Sequence, residues 1–129
     1  MDQCIFCGKQ TVIHETNLTY VTYDSYPASP GHALIITKRH VPNYFDCSSE
    51  EVVDLWQSVE MAKQLIEKEH CPDSYNIGIN VGSVAGQSVP HIHIHLIPRY
   101  KGDVEDPRGG VRSVIPHKRK YTRHQDANK

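Results

Sequence analysis

The sequence predicts an α+β domain in which five antiparallel strands are covered by one long helix. Three observations predict it. A single stretch, from Ser48 to Pro72, repeats apolar residues at helical spacing. Several shorter stretches are rich in β-branched and aromatic residues or alternate with period two. Turn residues join them as hairpins, without the strand–helix rhythm of a parallel sheet. The chain of 129 residues suits one domain of ordinary size. Its sheet and helix are expected in residues 1–100, with a basic C-terminal extension over 101–129 that is ordered in part at most.

Residues 11–15 and 18–23 form the first hairpin, with Asn17 as the turn signal. Tyr26-Pro27-Ala28-Ser29-Pro30-Gly31 can only be a loop. His32 to Thr37 is a short apolar run that reads as a central strand. Ser48 and Glu51 have capping-box spacing at the start of the helix. Val52, Leu55, Val59, Ala62 and Ile66 form its apolar stripe, widened by Val53, Trp56 and Leu65, and Pro72 closes it. Tyr75 to Gly82 alternates as a fourth strand, a small flexible loop runs to Gly86, and His91 to Ile97 is the last strand, between Pro90 and Pro98.

Composition narrows the function classes. With 38% hydrophobic and 22% charged residues the chain reads as soluble and globular, and no run approaches the 18 apolar residues of a membrane span. The start of the sequence has no basic and apolar pair of regions typical of a secretory signal, so a cytoplasmic location is expected. Residues 1–98 carry 5 of the 14 Lys+Arg and 11 of the 15 Asp+Glu, whereas residues 99–129 carry 9 and 4. The basic end could meet phosphates or an acidic partner surface, or be a solvated tail. Four cysteines in a reducing compartment read as thiols. Cys4-x-x-Cys7 fits either a metal site or a redox pair, although no βαβ pattern surrounds it.

Chemistry concentrates in the last strand. Alternation sends Ile92, Ile94 and Leu96 to one face and His91, His93 and His95 to the other, with the imidazoles roughly 6–7 Å apart. Imidazole titrates near neutrality and can act as nucleophile, acid, base or metal ligand. An all-metal site would want a further ligand, and no acid follows His95 before Asp103.

Gly86-Gln87-Ser88-Val89-Pro90-His91-Ile92-His93-Ile94-His95-Leu96-Ile97-Pro98-Arg99 resembles the histidine triad (HIT) signature, and Pro30 to His40 resembles the second block of that family. The likeness covers roughly residues 4–100, and the tail Asp106 to Pro116 resembles a bacterial-type extension. The resemblance implies a nucleotide hydrolase or transferase acting at an α-phosphate. In it His93 attacks phosphorus and carries the nucleoside monophosphate covalently, while His95, His32, Gln87 and Ser88 line the phosphate and Asn80 meets the phosphate or leaving group. Asp24 would accept the ribose hydroxyls, and Phe6, Tyr23 and Leu34 would wall the base pocket.

The resemblance further implies a structural Zn2+ held by Cys4, Cys7, His40 and His91, no organic cofactor, and a homodimer with a ten-stranded sheet. It implies phosphoramidates or dinucleoside polyphosphates as substrates, of adenosine type by first expectation. Arg108 and Arg112 in the tail are candidates for distal phosphates. The segment after Cys7 is shorter than in many relatives, which leaves the edge of the base pocket open. Two other classes compete: a non-catalytic nucleotide-binding or scaffold protein, and a zinc-dependent nucleic-acid module. The second lacks a further Cys or His pair at zinc-finger spacing, so no nucleic-acid or membrane partner is expected.

Overall fold

The computed structural model describes residues 4–121. One antiparallel sheet contains β1 (His14–Glu15), β2 (Thr19–Tyr23), β3 (Ala33–Thr37), β4 (Ser74–Ile79) and β5 (His93–Arg99), in the spatial order β1-β2-β3-β5-β4. Helix α1 (Ser49–Glu69) packs across one face. Two compact units result, one ending at Arg99 and the other beginning at Tyr100. No helix among the described residues is long and apolar enough to cross a membrane.

The capping box forms. Ser48 Oγ accepts from the Glu51 amide at 3.1 Å, and Glu51 Oε1 accepts from the Ser48 amide at 2.8 Å. Glu51 also receives the Arg39 guanidinium at 2.8 and 3.1 Å, so a charged residue only 3% exposed is fully partnered. The helix ends as the His70 amide bonds to the Ile66 carbonyl, and Cys71 is already biased away from helical dihedrals by Pro72.

Leu55, Val59, Ala62 and Ile66 of α1 meet Val21, Ala33, Ile35, Ile94 and Leu96 of the sheet. Each large apolar side chain buried there contributes roughly 1.5–3 kcal/mol. The stripe is narrower than expected: Val53 and Trp56 are exposed, because they lie roughly 100° or more round the helix from Leu55.

Strand limits differ from expectation for identifiable reasons. The Thr11 carbonyl accepts from Thr22 Oγ1 at 2.6 Å, so a side chain takes over where the ladder of β1 would have continued. β5 begins two residues late and runs through Pro98. The carbonyl of Pro98 accepts from Ser29 Oγ at 2.6 Å, and β3 begins only at Ala33, opposite Leu96. A residue's N–H and C=O leave a strand on the same side, so the missing N–H of Pro98 has no ladder partner to lose. Gly31, at φ 88°, sits where a Cβ would meet His70 Cδ2 at 3.1 Å and Ile66 Cγ2 at 3.2 Å.

The second unit consists of 3-10 turns at Gly110–Val114 and Pro116–Lys118. Asp106 accepts from Lys120 at 2.6 Å and Arg108 at 3.3 Å, and these partners hold its carboxyl well below the usual carboxylate range. Arg112 donates to the Lys118 carbonyl and lies 4.5 Å over the Tyr121 ring. Arg108 and Arg112 are thus engaged inside this unit.

Candidate active site and metal pocket

Period-two alternation leaves the sheet face opposite α1 to His93 and His95 of β5, Leu34 and Ile36 of β3, and Tyr20 of β2. Across the β3–β5 ladder Leu34 lies opposite His95 and Ile36 opposite His93. The loop before β3 delivers His32, whose Nε2 is 3.0 Å from His95 Nδ1.

Backbone groups fix the proton on each ring. A carbonyl can only accept, so the 2.7 Å contact between His93 Nδ1 and the His91 carbonyl places the proton on Nδ1 and leaves the Nε2 lone pair free. The Ala28 amide donates to His32 Nδ1 at 2.9 Å, which leaves the proton of the neutral ring on Nε2. That proton faces His95 Nδ1, so neutral His95 carries its own on Nε2. One lone pair and one outward N–H stand side by side, with the His93 and His95 ring centroids 5.0 Å apart.

Burial lowers the pKa of all three. It pushes His95 down to about 4, helped by the neighbouring His93 and His32. His93 and His32 are lowered chiefly by burial, against the opposing pull of Asp24. The row is therefore neutral at pH 7, as the tautomers require.

At the head of β5 the Nε2–H of His91 donates to the Thr37 carbonyl at 2.7 Å, which turns Nδ1 toward Cys4, Cys7 and His40. His91 Nδ1 is 3.4 Å from Cys4 Sγ, 3.5 Å from Cys7 Sγ and 3.3 Å from His40 Nδ1, and Cys7 Sγ is 3.1 Å from His40 Nδ1. Ligands about 2.0–2.3 Å from a tetrahedral zinc would stand roughly 3.3–3.8 Å apart. Two thiols and two imidazoles, one pinned by a carbonyl in the correct tautomer, fit such an ion. Asp24, His32 and His95 also converge within 4.8 Å. There the Ala28 amide occupies Nδ1 of His32 and keeps Nε2 protonated, which makes His32 a donor and not a ligand.

The other expected residues divide. Phe6 and Leu34 share the imidazole face, and Phe6 packs edge-on to His93 at 4.9 Å. Tyr23 does not join them: alternation along β2 carries it to the helix side, where it packs on the core and its hydroxyl reaches Glu69 at 3.4 Å. Asp24 lies beside the row, its Oδ2 3.5 Å from His32 Nε2, with Oδ1 taken by the Tyr26 amide. Asn80 follows β4 and is half-buried, and Ser88 is exposed. Gln87 spends its amide on backbone: Oε1 accepts from Gly82, and Nε2 donates to the carbonyls of Pro42 and Val89. Sequence reasoning missed Ala28, Thr37 and Tyr20; the first acts through its amide and the second through its carbonyl, which no side-chain pattern reveals.

Fold and site together define a class: an α+β domain whose central strand presents a neutral imidazole with one nitrogen fixed by backbone, beside a closed Cys/His pocket. The HIT domain family profile matches residues 8–102, and the chain belongs to that family. It is 42% identical over 95 residues to a bis(5'-nucleosyl)-tetraphosphatase (asymmetrical) of Schizosaccharomyces pombe, covering 74% of this chain and 52% of that protein. It is 38% identical over 95 residues to a bis(5'-adenosyl)-triphosphatase of Dictyostelium discoideum, covering 74% and 64%. The chain thus spans little more than half the length of these relatives. A Zn-bound histidine triad family protein from Mycobacterium smegmatis superposes with a TM-score of 0.72 at 30% identity, over 79% of this chain and 78% of that one.

Proposed function

We propose that the protein hydrolyses dinucleoside polyphosphates or nucleoside phosphoramidates at the α-phosphate and releases a nucleoside monophosphate. The observation that carries this reading is His93, with Nδ1–H donated to the His91 carbonyl at 2.7 Å and Nε2 left as a lone pair. Nε2 attacks the α-phosphorus as the bond to the leaving phosphate or amine breaks. The ring becomes a nucleotidyl-imidazolium, and its remaining N–H stays on the carbonyl that steadies the positive charge. Water then attacks phosphorus, the N–P bond breaks, the water proton is released, and neutral His93 is restored.

His95 donates through Nε2 to a phosphate or leaving-group oxygen, and His32 holds it in that tautomer. Asn80 and Ser88 complete the phosphate contacts, while Gln87 supports the loop between β4 and β5. Asp24 receives the ribose, and Phe6 and Leu34 flank the base. Adenosine substrates are favoured by the bis(5'-adenosyl)-triphosphatase named among the relatives.

The Cys4, Cys7, His40 and His91 pocket holds a structural Zn2+, supported by the donor separations and by the Zn-bound histidine triad neighbour. It would supply folding energy and not a hydrolytic centre, because all four positions are filled by protein. β4 is an edge strand carrying exposed Ile77, and Val53 and Trp56 are exposed on α1. Pairing of two copies there makes a ten-stranded homodimer and hides the free strand edge. Four unbridged thiols suit a reducing cytoplasm.

Incubation with diadenosine triphosphate and detection of AMP tests the activity. Turnover that His93→Asn abolishes supports the reading. Tight nucleotide binding without AMP release would replace it with a binding or scaffold role.

A further inference from the structure

Residues 4–7 do more in this fold than supply two thiols. The Cys7 amide closes a turn onto the Cys4 carbonyl at 3.2 Å, and the Phe6 carbonyl accepts from the Tyr20 hydroxyl at 2.6 Å. Phe6 is carried inside this turn and is 7% exposed. Its ring stands at 69° to the His93 ring with centroids 4.9 Å apart, and at 84° to His91 at 6.0 Å. Gln10 adds a hydrogen bond to the Ile5 carbonyl at 2.7 Å. His93 is thus confined by two groups: the ring of Phe6 packs against it, and the carbonyl of His91 holds its Nδ1 proton.

Both confining groups belong to the pocket formed by Cys4, Cys7, His40 and His91. One lies between the two thiols, and the other is the carbonyl of the buried histidine ligand. His93 has no such brace from the helix side, because Ile92 and Ile94 on either side of it face the core.

We propose that the Cys4–Cys7 turn, closed on His40 and His91, is a positioning device for the nucleophile: it presses Phe6 on His93 and fixes the His91 carbonyl that selects its tautomer. This rests on the reading of His93 as nucleophile, but the device can be observed in the protein without substrate. Opening the pocket frees the turn, lets the His93 ring rotate, and mixes its tautomers. Phe6 and His91 are positioning residues, since they act on phosphorus only through His93.

The test strips metal from the protein with dipicolinate and follows the His93 ring by 15N-detected NMR, with circular dichroism as the check on folding. The zinc-loaded protein is expected to show one tautomer with a slowly exchanging Nδ1–H. The stripped protein should show averaged ring nitrogens and fast exchange, and diadenosine triphosphate turnover lower by about 10- to 100-fold in kcat with KM moved far less. Phe6→Ala, with zinc content unchanged, should shift the His93 signals in the same direction, and Phe6→Tyr should restore them. Unchanged His93 signals in folded, stripped protein overturn the proposal. Should stripping unfold the sheet, unchanged His93 signals in zinc-loaded Phe6→Ala overturn it equally. Absent hydrolysis combined with metal-dependent His93 signals would remove the proposed activity and leave the device standing.

Discussion

His91 and His93 are two residues apart, both buried, and each gives one ring nitrogen to a backbone carbonyl 2.7 Å away. For His91 that nitrogen is Nε2, and the lone pair on Nδ1 turns toward two thiols and His40. For His93 it is Nδ1, and the lone pair on Nε2 turns outward. The same side chain therefore acquires ligand character at one end of the row and nucleophile character at the other. The deciding variable is which nitrogen the backbone claims, and that is set where β5 begins: His93 is its first residue and His91 lies before it, turned back by the bond from its amide to the Val89 carbonyl.

The largest expected effect separates the two rings directly. His93→Asn should lower AMP release by at least about 10^3-fold, as loss of a nucleophile does, with metal content unchanged. His91→Asn should lose the metal, read by atomic absorption, and cost about 10- to 100-fold in turnover. Equal losses of turnover, or metal retained by His91→Asn, would erase the division of labour.

A second contrast sets the imidazole face against the helix face of the same sheet. Leu55→Ala removes packing without touching any ring, so it should cost about 2–5 kcal/mol in urea unfolding while kcat below the transition stays at its original value. A matching fall in kcat would mean that the two faces are mechanically joined.

Acid sharpens the comparison further. Burial lowers His93, His32 and His95, the last to about 4. The neutral forms then persist below the ordinary histidine value of about 6.5, and activity should stay level through that pH before falling about tenfold per unit as His93 gains a proton. The sign for stability is the same. The unfolded chain binds protons first as pH drops below about 6.5, so stability declines from there until the folded-state values are passed. A pH–rate limb at or above 6.5 would contradict the burial argument. The smallest effect expected is Ser48→Ala, which should cost about 0.5–2 kcal/mol by loss of the cap and leave both ends of the histidine row unaltered; thermal melts beside turnover assays would check it.

Much of this was legible in the residues. The apolar run of β3, the capping box and the alternation of Ile92, Ile94 and Leu96 each depend on local rules that sequence expresses directly. The convergence of Cys4, Cys7, His40 and His91 followed from family resemblance, and the coordinates bring those four groups together. What escaped depends on partners distant in the chain. Tyr23 was expected beside Phe6, but strand parity sends it to the other face. Pro98 was expected to end β5, yet β3 has not begun at that level, so a missing donor costs nothing there. Gln87 reads as a phosphate ligand until its three backbone partners are seen, two of them within five residues and Pro42 forty-five away. The tautomers of His32 and His91 depend on an amide and a carbonyl, groups that every residue of their type possesses.

The carboxylate of Glu51 has a wider reach than its position suggests. It closes the first turn of α1 through the Ser48 amide and receives the fork of Arg39, the residue immediately before His40. Start of helix and approach to the pocket are therefore spliced through one charge, and neutralising it would loosen two distant pieces of architecture in a single stroke.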